Sequence, residues 1–341
     1  MKRQGSFFEK KIKPILQHKV FSLVLLYLAM VIIFTVWTAI KSKGSTFFLS
    51  WPIIRNILNS LVVSSFLTMG AGCLLIAGHI DLSQASIGAF GGMVLATAIK
   101  GWGLPWYLGV VIALCLCAVF GAVNALLVGK LRFPSFIGTL AMASMVKGLM
   151  YLFSSLGNNG LAANVNFMNK TVSFIGTGSV AGIPFGVIIM AIFFIVYGLI
   201  ISKSTFGMKV TLMGGSPVAA TLAGINANGI MTILFINSAV LGGVAGIFNC
   251  ARLSQGALTA LTTNQFTGLT AAILGGISFG GGVGGMGGAF VGLLILNTFQ
   301  IGMGIVGVNP FWVNVFSGLL LLIALAFDFL SQQRQKKSLA H

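Results

Sequence analysis

Apolar residues in this chain come in long continuous runs rather than in short alternating segments. Residues 21–40 and 319–327 contain no charged side chain. A run of about 20 apolar residues crosses the hydrocarbon core as a helix, and a helix satisfies its backbone polar groups internally, as lipid demands. A transmembrane barrel would instead show short segments alternating polar and apolar. The pattern predicts an all-α polytopic membrane protein with about ten transmembrane helices. The predicted spans are 20–40, 57–77, 84–99, 106–129, 135–155, 183–202, 228–248, 264–280, 284–303 and 311–330. Glycines in the middle and late spans predict that some of these helices are broken. The run from residue 20 is too long for a signal-peptide core and no small-residue cleavage site follows it, so it reads as the first retained span.

Two connections depart from ordinary loops. Residues 156–182 are polar and rich in Asn and Gly. Residues 203–227 carry a glycine pair, then Pro217, then a small-residue run from Ala219 to Ala223. A tether would be more polar. This stretch predicts a short helix at the membrane face, suited to docking a soluble partner; a plain interfacial loop is the alternative. There is also an internal echo. IAGHIDLSQASIGAFG (76–91) and ILGGISFGGGVGGMGG (273–288) share Ile, Gly, Ile, Gly and Gly at one fixed offset. Repeated halves with interrupted hydrophobic segments are a transporter trait.

Composition sharpens the class. Of 341 residues, 57% are hydrophobic and only 7% charged, against about 25% charged in soluble domains. The net charge of +17 does not indicate nucleic-acid binding, because the basic residues are spread over loops with no soluble domain to form a patch. They follow a membrane rule instead. About thirteen Lys and Arg fall on the face holding 1–19, 130–134, 203–227 and 331–341, and about six on the other. The richer face is the cytoplasmic one, which predicts both termini inside. The division expected is a basic N-terminal segment (1–19), one transmembrane domain (20–330) containing the inner loop 203–227, and a basic tail (331–341). Cys73, Cys115 and Cys117 lie in apolar runs as small packing residues, and with Cys250 they offer neither metal spacing nor a disulfide framework.

Acids are scarcer than any other charge: Glu9, Asp81 and Asp328 only. Asp81 sits in GHIDLSQASIGAF (78–90), inside the apolar body. A carboxylate at membrane depth is costly and usually functional. Two readings stay open. Asp81 precedes a helix starting near Ser83 and could cap it, or it could contact solute or gate a path. His79, Ser83 and Gln84 supply polar neighbours. His79 has no second His, Cys or Glu nearby, so no metal site is expected. Asn124 and Lys147 lie within apolar runs. Asn124 fits a hydrogen bond between helices or a polar path, and Lys147 could snorkel or pair with Asp81. No paired acids exist for acid–base work, so no catalytic residue is assigned. Residues 282–287, GVGGMG, satisfy a dinucleotide fingerprint but lack its strand and its acid. No phosphate-binding GxxxxGK[ST] loop occurs, so no cofactor is expected on this chain.

Several stretches together resemble the permease subunits of bacterial sugar-type ATP-binding cassette importers, the ribose-permease-like family. The likeness covers about 45–330. GHIDLS (78–83) is similar to the family's GGIDLS, with His79 in place of Gly. NALLVGKLRFPSFIGTLAMASMVKGL (124–149) resembles the stretch before and along the fifth span. FGMKVTLMGGSPVAATLAGIN (206–226) resembles the loop that docks the ATPase. AAILGGISFGGGVGGMGGAFVGLLIL (271–296) and NPFWVNVFSGLLLLIALAFD (309–328) resemble the last spans.

The resemblance implies about ten helices per subunit in the bacterial cytoplasmic membrane and a dimeric core of two copies or of this chain with a sister permease. It implies two cytoplasmic ATP-binding subunits that hold ATP and Mg, and an extracytoplasmic solute-binding protein delivering a sugar such as a pentose or hexose. Relatives carrying nucleosides or furanone-like signalling sugars keep those solutes open. Under this reading the path or gate involves His79, Asp81, Ser83, Gln84 and Asn124. ATPase coupling falls to Gly214, Gly215, Ser216, Pro217, Ala219, Ala220 and Gly224. Helix packing or breakage falls to Gly275, Gly276, Gly280, Gly281, Gly284 and Gly287. The chain departs from the family where Asn-Pro-Glu-Ala-Ala becomes Ser216-Pro217-Val218-Ala219-Ala220, and where Tyr-Glu-Leu-Asp becomes Asn264-Gln265-Phe266-Thr267. These losses suggest an asymmetric pairing in which a sister permease carries the acids. The competing class is an ion-coupled secondary transporter, for which one embedded acid is a thin supply.

Overall fold

The computed structural model describes residues 19–41 and 48–339. The predicted basic N-terminal segment, apart from Lys19, and the last two residues of the basic tail lie outside the described residues. Thirteen helices carry the described chain: α1 (Lys19–Lys41), α2 (Trp51–Ile76), α3 (Gln84–Lys100), α4 (Trp106–Ala125), α5 (Ser135–Gly157), α6 (Lys170–Thr177), α7 (Phe185–Lys203), α8 (Thr205–Gly215), α9 (Pro217–Leu222), α10 (Ala227–Leu253), α11 (Thr267–Leu274), α12 (Met286–Ile305) and α13 (Pro310–Leu339). The chain is an all-α polytopic membrane protein, with eight helices long and apolar enough to cross a bilayer among the described residues.

Two predicted spans differ from that set. The span expected at 84–99 is α3, a 17-residue helix with nearly every residue buried. The span expected at 264–280 does not form as one helix. Its helical part, α11, has 8 residues and stops where Gly275 and Gly276 follow. Glycine loses the most freedom on entering a helix and readily takes the left-handed turn that ends one. The span expected from 57 starts earlier, at Trp51, with Pro52 in its first turn, where a proline costs no hydrogen bond.

Burial sorts the helices into a centre and a lipid-facing shell. In α2 and α10, 83% and 67% of the most apolar window is buried, against 11% in α1 and 6% in α13. The exposed Leu25, Ile32, Leu322 and Phe327 suit hydrocarbon as solvent. At the centre α3 crosses α10 through glycines: a Cβ on Gly246 would lie 1.6 Å from the Gly88 carbonyl oxygen. Small residues permit such close backbone approach where lipid supplies no hydrophobic drive.

The two ends of the bundle are built differently. One end carries α8 and α9, so the predicted single short helix at 203–227 is two, parted after the glycine pair. The opposite end carries α6 and two small ribbons, in which Val165–Asn166 pairs with Gln255–Gly256 and Ser179–Val180 with Ile183–Pro184. There Lys100 Nζ donates to Asn158 Oδ1 at 2.7 Å.

Candidate functional site

The first break in the helices follows α2. Gly78, at φ +80°, turns the chain out of the helix. Its N–H donates to the Leu75 carbonyl at 2.8 Å, and the His79 N–H to the Leu74 carbonyl at 2.9 Å, which together close the last turn. Residues 79–83 are non-helical, so their backbone needs other partners inside lipid. Side chains of α5 and of Asp81 provide them, and α4 and α10 in turn hold those side chains. Thr139 Oγ1 accepts from the Leu82 N–H at 3.1 Å and Ser135 Oγ from the Ile80 N–H at 3.4 Å. Asp81 Oδ1 accepts from the Ser83 N–H at 2.8 Å and from Ser83 Oγ at 2.5 Å. Its Oδ2 accepts from Ser238 Oγ of α10 at 2.8 Å. Asn124 Nδ2 of α4 donates to Ser83 Oγ at 2.8 Å, and Gln84 Nε2 reaches the Phe66 carbonyl at 3.5 Å.

Asp81, Ser83, Gln84 and Asn124 therefore form one buried cluster joining α3, α4 and α10. The Asn124 Oδ1 within it has no partner. His79 stands apart, half-buried, with its ring 6.3 Å from that of Phe235. Lys147 does not meet Asp81; it lines a separate cavity with Ser86 and Gln265.

The second break follows α11 and repeats the first turn for turn. Gly276 has φ +87°; its N–H donates to the Ile273 carbonyl at 2.8 Å and the Ile277 N–H to the Ala272 carbonyl at 3.0 Å. Gly78 thus corresponds to Gly276, one residue beyond the offset that the sequence echo suggests. From there the supports diverge. Asp328 of α13 reaches in, and its Oδ2 accepts from the Phe279 N–H at 2.9 Å, from Ser278 Oγ at 3.3 Å and from Gln332 Nε2 at 2.7 Å. Gly280 lies against the Gln332 amide, and Gly284 against Ile277. Gly275 packs on Gly288, whereas a Cβ on Gly276 or Gly287 would meet nothing within 4 Å.

The breaks meet each other and the end of α8. The Gly282 N–H donates to the Ile76 carbonyl at 2.8 Å. A Cβ on Gly214 would lie 1.9 Å from that same carbonyl oxygen and 2.7 Å from the Gly282 nitrogen. A Cβ on Gly281 would lie 2.9 Å from both Gly78 Cα and the Gly214 oxygen, and one on Gly282 2.4 Å from Gly215 Cα. Three backbones share one junction, so α8 cannot shift without moving the ends of both broken helices. The dinucleotide-fingerprint lookalike at 282–287 begins inside this junction, with Gly282 packed on Gly215. Among the described residues no cluster of metal-ligating side chains forms.

Beyond the junction, Ser216 Oγ accepts from the Ala219 N–H at 3.2 Å and starts α9 with Pro217. Ala220 is buried, and Gly224 at φ +71° ends the turn. Val218, where the resembled family has Glu, is 72% exposed and Leu222 84%. The outward face of α9 is therefore apolar. Sequence reasoning missed Ser238, Thr139, Ser278, Gln332 and the role of Asp328. The last was legible as the single acid closing an otherwise apolar 309–328 stretch.

Residues 53–325 match the family described as the branched-chain amino acid transport system permease component. The chain belongs to this permease family. The ribose import permease protein of Escherichia coli is 32% identical over 292 residues, covering 85% of this chain and 89% of its own length. The L-arabinose ABC transporter permease protein of Azospirillum brasilense is 31% identical over 298 residues, covering 87% and 86%. The ribose import permease protein of Bacillus subtilis is 30% identical over 277 residues, covering 81% and 84%. Within the family these relatives group the chain with the permeases of sugar importers, which are transport subunits rather than enzymes.

Proposed function

We propose that this permease forms the path for a pentose-type monosaccharide in an ATP-driven importer of the bacterial cytoplasmic membrane. The observation that carries the reading is the junction of Gly214, Gly78 and Gly282, which ties an exposed helix pair to both broken helices. Two ATP-binding subunits, which hold ATP and Mg, dock on α8 and α9 through the apolar face of Val218 and Leu222. That end and both termini are cytoplasmic, consistent with the excess of Lys and Arg there. A second copy or a sister permease completes the membrane core. An outer binding protein delivers the sugar to the end carrying α6. Force on α8 moves the two breaks together, and rigid-body rocking of this kind needs no titrating residue in the chain. The pentose follows from the ribose and arabinose named for the relatives.

Affinity purification from native membranes in mild detergent, with mass spectrometry of the eluate, tests the assembly. An ATP-binding subunit and a second permease are the expected companions. Reconstituted with its partners, the complex accumulates labelled ribose only with ATP inside and binding protein outside. Accumulation driven by an ion gradient without ATP would overturn the reading in favour of a secondary transporter.

A further inference from the structure

Lys147 is a cation at membrane depth with no acid beside it among the described residues. It lies about 18 Å from the Ser135 end of α5 and about 15 Å from the Gly157 end, at 1.5 Å per residue. It is exposed, and on the same helical face stand exposed Ser144, Gly148 and Tyr151, at the three- and four-residue spacing that makes a stripe. The helix packs on α3 and α4. A charged, hydroxyl-bearing stripe at this depth does not face lipid; it faces water or another protein chain. Behind Lys147 lies a cavity of about 150 Å³, walled by the first turns of α3 and by residues 258–265. Ser86 and Gln265 turn polar groups into it. Ser86 is the one residue of 81–90 that is not fully buried.

No acid lines this cavity. Asp81 is engaged by Ser83 and Ser238, and Asp328 by the second break. The ammonium thus has no counter-charge among the described residues around it, and its field dominates a space with low-dielectric walls. A fixed positive charge in a narrow path is a barrier to protons and metal cations. The same ammonium donates to hydroxyl, carbonyl or carboxylate oxygens.

We propose that this cavity is a watered station on the translocation path that admits neutral or anionic oxygen-rich solutes and excludes cations, with Lys147 as the charge that decides. The inference rests on the transport reading above and deepens it. The stripe on α5 is left open in one copy, so the station is completed by the partner permease.

The labelling step needs no knowledge of the solute, and the uptake step follows labelled ribose. Ser86→Cys is introduced into a Cys115→Ser background, because Cys115 is the exposed cysteine and the others are buried. The assembled importer in liposomes is treated with an anionic sulfonatoethyl and a cationic trimethylammonioethyl methanethiosulfonate. Each rate is divided by that of the same reagent with free cysteine. The anionic reagent is favoured roughly fivefold or more, the order expected for opposite unit charges within several ångströms of an ammonium in water. Lys147→Gln removes the preference and Lys147→Arg restores it. An unreactive Ser86→Cys, or a preference indifferent to Lys147→Gln, overturns the proposal. ATP-driven uptake measured on the same liposomes separates the two readings. Uptake without charge preference removes the station alone, and charge preference without ATP-driven uptake removes the importer alone.

Discussion

The two breaks begin with the same turn and are then held by different chemistry. At 77–83 the backbone is satisfied by side chains: Asp81, Ser83, Asn124, Thr139 and Ser238 form a buried polar mesh between helices. At 275–285 the chain is mostly glycine, and what fixes it is backbone contact and one clamp from α13, Asp328 with Gln332. The first arrangement is stiff, because each partner is enclosed and each lost bond strands another. The second is held mainly by backbone contacts around its glycines. The lesson is a division of labour: side-chain bonds tie the first break into the centre of the bundle, backbone contacts hold the second, and the junction with α8 joins the two.

Substitutions can break or sharpen that contrast. The largest effect belongs to the point both breaks share. Gly214→Val would drive carbon atoms into the Ile76 carbonyl and the Gly282 nitrogen; reconstituted uptake is abolished, and any ATP hydrolysis that remains runs uncoupled from transport. Next comes Asp81→Ala, which strands Ser83 and Ser238 in a buried setting and costs about 3 kcal/mol. A thermal unfolding series in detergent reads the loss, and uptake falls further than expression does. Asp328→Ala costs less, about 1 kcal/mol, since Asp328 is only half-buried. Its expected signature is faster hydrogen exchange confined to 278–282, with the first break unchanged. Gly276→Ala pays the left-handed backbone term alone, about 1–2 kcal/mol, because its surroundings are open. Smallest is Gly287→Ala, in the first turn of α12 with open space around it; its melting temperature stays level or rises slightly. Equal losses from Asp81→Ala and Asp328→Ala would erase the distinction between the breaks.

Much of this was legible in the sequence, for physical reasons. Long apolar runs marked the eight crossing helices, because lipid leaves so few alternatives. GHIDLS marked the first break, since an acid in an apolar body needs partners. The second break was legible only as an echo, because glycines carry no side-chain chemistry to read. Its true register, one residue over, depends on which glycine takes the positive φ. The partners Ser238 and Thr139 were invisible, as single hydroxyls in apolar helices look like many others that bond their own backbone. Asp328 stands out as the one charge in 309–328, but nothing local reveals that 278–279 returns to it. From the sequence Lys147 could snorkel or pair with Asp81, whereas it lines a separate cavity with Ser86 and Gln265.

The shortness of α11 has a consequence for how the protein is made. A nascent span is normally offered to lipid one apolar segment at a time. Eight helical residues followed by a glycine run present bare peptide groups that lipid will not accept. The Gly282 and Phe279 N–H groups find their partners on Ile76 and Asp328, and of these two Asp328 is synthesised later. The second break is therefore expected to close only after α13 has been made.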